Sequence, residues 1–92
     1  MNWAAEFIYN SNMKSGKWFL EVAQIREDNN LFYEARNCYR NAMVNFSRAY
    51  NAAQKEDRTQ EMTDALEYIE KTQYLLDTNP NREEESYQNQ PQ

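Results

Sequence analysis

Catalysis needs groups that move protons or attack electrophiles, and this chain of 92 residues offers few of them. It has no histidine. That removes the commonest general base and, with it, most metal and triad arrangements. Its one cysteine, Cys38, has no histidine to activate it and stands beside Tyr39 inside a helical pattern, where a thiol reads as a small packing residue. Gly16 is the only glycine, too few for a loop that cradles phosphate. Carboxylates are plentiful. Glu61, Asp64, Glu67 and Glu70 step by three, the spacing of a solvated or partner-facing edge. Acids bind metals inside helical bundles through Glu-x-x-His motifs, which are absent here. Glu67 and Lys71 form an i,i+4 pair that supports its own helix by a few tenths of a kcal/mol. The expectation is a chain with no catalytic residues, no metal site, no cofactor and no small-molecule substrate. What it offers instead is recognition chemistry, an acidic edge beside tyrosines with apolar bodies and polar tips.

The elements that would position these groups are helical. Phe32, Ala35, Tyr39, Ala42, Phe46, Ala49 and Ala53 recur in steps of three and four along a run without Gly or Pro. This predicts a helix over about 31–54 with one alanine- and aromatic-lined face, Tyr39 and Phe46 in the core. Upstream, Trp18, Phe19, Val22, Ala23 and Arg26 share one side of a segment over about 15–28, with Ser15 as a candidate cap. Trp3, Phe7 and Ile8 form a second apolar cluster. Residues 1–14 then read as an aromatic extension, either continuing that helix through a kink near Gly16 or forming a short helix of their own. Trp3 and Phe7 are either a lid on the fold or an exposed anchor for another protein.

A third helix follows Lys55-Glu56-Asp57, with Asp57 or Thr59 as its cap. Met62, Ala65, Leu66, Ile69, Gln73 and Leu76 make its apolar stripe, and Asn79-Pro80 ends it. Asp28-Asn29-Asn30 is the first break. Two short connections force antiparallel neighbours, so the predicted fold is all-α, an antiparallel up-down-up three-helix bundle over 15–78. Tyr50, Tyr68 and Tyr74 cannot all point inward in such a bundle, which leaves tyrosine at a groove edge. The polar acidic tail over 79–92 buries little and is expected to be disordered.

Composition narrows the partners. The net charge of −5 is concentrated after Lys55, while residues 1–54 are nearly neutral. An acidic chain repels phosphate backbones, which argues against nucleic acid. No stretch suits membrane insertion. The first residues lack the layout of a secretory signal, and a single cysteine suits a reducing compartment, so the expected location is cytoplasmic.

The stretch Gly16-x-x-Phe19-Leu20-x-x-Ala23, followed by Phe32-Tyr33-Glu34-Ala35-x-x-x-Tyr39-x-x-Ala42-x-x-x-Phe46-x-x-Ala49, resembles the microtubule-interacting and trafficking (MIT) domain family. So does Leu66-Glu67-Tyr68-Ile69-Glu70-Lys71-Thr72-Gln73-Tyr74-Leu75, similar to that family's third-helix signature. The likeness covers roughly residues 15–77, and its first half also fits a tetratricopeptide hairpin. It implies a non-catalytic three-helix bundle that binds short helical tail motifs of ESCRT-type membrane-remodelling proteins, in a groove between helices two and three or one and three. It implies recruitment to endosomal membranes or microtubules through partners. Ile69 would correspond to the groove-lining position, with Met62, Leu66 and Leu76 beside it and Met43 or Tyr50 opposite. Glu70 would pair with bases of a basic amphipathic peptide. Gln73 departs from a position often acidic in the family. Ile69 also sits near the centre of its stripe, so it is either core or groove. The alternative is a tetratricopeptide-like structural subunit or adaptor within a larger assembly.

Overall fold

In the computed structural model, which describes residues 2–81, the chain forms three helices: α1 (Trp3–Asp28), α2 (Phe32–Lys55) and α3 (Thr59–Asp77). α1 begins at Asn2, whose side-chain oxygen accepts the Ala5 N–H at 2.8 Å. This satisfies one of the donors left open at a helix start. Ser15, the expected cap, lies inside α1, and residues 3–14 are continuous with the rest of that helix. The extension is therefore part of the bundle, and the folded unit begins well before residue 15.

Both connections are built alike. After α1, Asn30 is left-handed (φ 62°), the Asn30 N–H reaches the Glu27 carbonyl and the Leu31 N–H reaches the Arg26 carbonyl. After α2, Asp57 is left-handed (φ 54°), the Asp57 N–H reaches the Gln54 carbonyl and the Arg58 N–H reaches the Ala53 carbonyl. These are Schellman turns, usually closed by glycine. Asn and Asp are the residues that tolerate this backbone best after glycine. Asp57 thus closes α2 rather than capping α3, and Arg58, which stands at the N-cap of α3, makes no side-chain capping hydrogen bond.

α2 is the central element, packed against α1 on one flank and α3 on the other. Ala35, Tyr39, Ala42, Phe46, Ala49 and Ala53 are all wholly buried, as expected for the face that receives both neighbours. The alanines allow close approach, and the rings fill the space between. The Phe46 ring stacks on Tyr68 at 4.8 Å between centroids. α1 and α3 run parallel. The Tyr9 hydroxyl donates to the Glu61 carbonyl at 3.3 Å, and the Lys17 ammonium sits 5.2 Å from the centre of the Tyr68 ring. The up-down-up bundle is confirmed.

Two stripes differ from expectation. α1 buries Tyr9, Met13, Gly16, Leu20 and Ala23, a three-four repeat running through the boundary drawn at residue 15. Trp18 is 57% exposed instead. Trp3 and Phe7 stack on each other but stay 81% and 64% exposed, so they are no lid. In α3 the buried line is Ala65, Thr72 and Leu76, displaced toward Tyr68 from the predicted one. Thr72 is tolerated there because its hydroxyl donates to the Tyr68 carbonyl at 2.7 Å. Asn79, expected in a tail that buries little, is wholly buried, its amide donating to the Phe32 carbonyl at 3.2 Å. The rest of the expected disordered tail, 82–92, lies outside the described residues.

Candidate interhelical groove

The Arg36 guanidinium donates to the Leu76 carbonyl at 2.8 Å, which fixes the start of α2 against the end of α3. Seven residues are about two helical turns. Stepping seven along α2 and seven back along α3 sets Met43 level with Ile69, and Tyr50 level with Met62. All four are partly buried against the core. Ile69 is therefore neither a central core residue nor a free one: it stands at the edge of the α2–α3 seam. Leu66, one turn from Met62 and 42% exposed, lies further out on the same side. Gln73 is exposed there too, its amide donating to Asp77 at 2.9 Å. Glu70 is exposed beyond them. Leu76 departs from the set. It is buried in the core, and what it offers the seam is its carbonyl.

The acidic edge divides. Steps of three fall short of a 3.6-residue turn, so the four acids wind around α3. Asp64 and Glu67 turn toward α1, where they meet Lys14 and Lys17 across a cleft of about 540 Å³ floored by Tyr9, Met13 and Tyr68. Glu70 does not line this cleft. Burial, followed by the charges of Asp64 and Glu61, holds the Tyr9 hydroxyl above its ordinary value. A groove between helices one and three is one of the two that the family resemblance implies, but the residues lining this cleft were not among those expected. The signal was present in the repeat Tyr9, Met13, Gly16, which setting residues 1–14 apart concealed.

Other polar groups serve the fold. The Tyr39 hydroxyl donates to the Glu27 carboxylate. Burial, that hydrogen bond, and the charges of Glu27 and Asp28 push it well above its ordinary value. Cys38 is free and half-buried against the core. Among the described residues no group of three or more His, Cys, Asp or Glu side chains is placed to hold a metal ion, and no helix is long and apolar enough to cross a membrane. Of the tyrosines, Tyr50 and Tyr68 are half-buried at helix edges and Tyr74 is 67% exposed.

Compared with protein-family models, curated proteins and solved structures, the chain matches none.

Proposed function

We propose that this chain is a non-catalytic, MIT-like interaction module whose α2–α3 seam receives a short basic amphipathic helix, such as the tail motif of an ESCRT-type membrane-remodelling protein. The observation that carries the reading is the seam itself. Met43, Tyr50, Met62 and Ile69 are half-buried rather than core, Leu66 is more exposed, and Glu70 and Asp77 stand exposed outside them. An apolar strip with an acidic margin suits a helix that presents leucines inward and lysines or arginines along one edge. Asp77, held beside Gln73, supplies an acid near the position where Gln73 departs from the family pattern. A single groove of this size binds at about micromolar affinity. Recruitment to endosomal membranes or microtubules would then follow from the partner, with the module itself in the cytoplasm.

The test is titration of the full chain with a basic, leucine-rich helical tail peptide. Saturable binding is expected, weakening as salt screens the acidic margin. Leu66→Asp and Ile69→Asp should each weaken it more than tenfold. Leu66 is the cleaner variant, because its exposure leaves little folding energy to lose. No saturation by roughly 1 mM peptide, or binding indifferent to Leu66→Asp, would overturn the reading. The second reading, a helical structural subunit or adaptor, is favoured by one observation, the aromatic side of α1 that faces away from the bundle.

A further inference from the structure

α1 has two apolar faces. Its core residues Tyr9, Met13, Gly16, Leu20 and Ala23 lie along one line. At about 100° per residue, Trp3, Phe7, Trp18 and Ile25 lie along the opposite line, and all four are exposed. Trp3 and Phe7 stack with ring centroids 6.1 Å apart, forming one protruding knob. Two turns on, Ser11, Lys14, Ser15, Trp18 and Phe19 line an open hollow of about 530 Å³, whose far wall is the edge-on pair Trp18–Phe19. Knob and hollow occupy the same side of the same helix.

We propose that this face joins two copies of the chain, their α1 helices antiparallel about a two-fold axis passing between Asn10 and Ser11. A two-fold pairing requires a surface complementary to itself. Here the Trp3–Phe7 knob of each copy enters the Ser11–Ser15–Trp18–Phe19 hollow of the other, and Trp3 of one copy stands over Trp18 of its mate. Charge selects the register. In antiparallel helices the same flanks face each other. On that flank Glu6 comes within a turn of Lys14 of the other copy, and the match occurs twice by symmetry. Sliding the helices to cover Ile25 as well would set Lys14 against Lys14 and Glu6 against Glu21, which like-charge repulsion disfavours. Trp3, Phe7 and Trp18 expose roughly 400–500 Å² between them. With the lysine stems and Phe19 added, each copy reaches about 600 Å², the lower end of what a specific interface uses on each side.

Sedimentation equilibrium of the full chain from roughly 1 μM to 1 mM tests the pairing. The expected result is a mass rising from one copy to two within that range. Phe7→Asp, at an exposed position, should leave the helical circular-dichroism signal unchanged and weaken association more than tenfold. Lys14→Glu should weaken it several-fold, and Glu6→Lys combined with Lys14→Glu should restore it. A monomer across the whole range, association indifferent to Phe7→Asp, or a charge swap that fails to restore pairing would each overturn the proposal.

Discussion

Replacing Gly16 by alanine sets two known effects against each other, and the geometry decides which wins. Gly16 lies in mid-helix, where alanine is favoured over glycine by about 1 kcal/mol. A methyl at this position would stand 2.5 Å from Phe46 Cε1, 2.7 Å from Cδ1 and 2.9 Å from Cζ. Ordinary carbon contacts are about 3.5–4.0 Å, so three ring atoms overlap at once. The ring has nowhere to go, being wholly buried and stacked on Tyr68. Overpacking of this kind costs about 1–3 kcal/mol and more when neighbours cannot yield. The net expectation for Gly16→Ala is a loss of about 1–2 kcal/mol. In a domain of this size that is a fall in Tm of roughly 4–16 °C. Urea unfolding followed by circular dichroism reads it as a lower midpoint at unchanged slope. The decisive comparison uses Phe46→Leu, which removes the ring edge. In that background Gly16→Ala should turn neutral or stabilising, because only the helix preference remains. If Gly16→Ala stabilises the parent chain, or if its effect is the same in both backgrounds, then Gly16 is not the notch that seats Phe46 and the α1–α2 contact is misread.

Two further outcomes follow from buried polar groups. The Tyr39 hydroxyl is held above its ordinary pKa of about 10, so the unfolded chain releases this proton before the folded one does; the Tyr39 contribution to stability is complete below pH 10 and declines as pH rises beyond it. Urea midpoints between neutral and strongly alkaline pH should show that decline, and Tyr39→Phe should reduce it while costing about 1–2 kcal/mol at neutral pH through the lost hydrogen bond to Glu27. Asn79→Ala removes the amide that donates to the Phe32 carbonyl and the oxygen that accepts the Asn81 N–H at 2.9 Å. A loss of about 1–3 kcal/mol is expected on thermal unfolding, since both partners sit in part-buried surroundings; an unchanged Tm would mean that the segment after α3 is not tied to α2.

α2 was legible because it is covered on two flanks. A helix buried by both neighbours needs a wide, uniform stripe, and Ala35 through Ala53 spell it without interruption. α1 was harder because its apolar residues surround it. Trp18 puts a strong hydrophobic signal on the outer line, while the inner line depends on Gly16 and Ala23, small residues that carry little hydrophobic signal of their own. In α3 the displacement comes from Thr72, a polar residue buried because its hydroxyl is satisfied by its own helix. The turns hid in plain composition. With only one glycine to close helices, Asn30 and Asp57 took the left-handed position, and an aspartate before a helix is easily taken for its cap. The pairing of Met43 and Tyr50 with Ile69 and Met62 was available from the sequence only through the family resemblance; the register that sets them level comes from the Arg36–Leu76 hydrogen bond. Leu76 was not legible, because the register that makes it core depends on the position of the α2 start. Asn79 was not, because a buried asparagine beside proline resembles the beginning of a tail.

The two faces proposed for recognition do not compete. α1 lies across the bundle from the α2–α3 seam, and its outer line points directly away from the core. A pair joined through α1 would leave both seams open on opposite outer sides. Each would bind a single helix at about micromolar strength. A target carrying two such helices on a linker long enough to span the pair would engage the second at millimolar effective concentration, gaining roughly 10²–10⁴ in affinity with no new contact. This gives physical meaning to an aromatic face that stays largely exposed in the single chain. A weak groove becomes selective for targets that are themselves repeated or assembled, and pairing through α1, rather than any change in the seam, would set that preference.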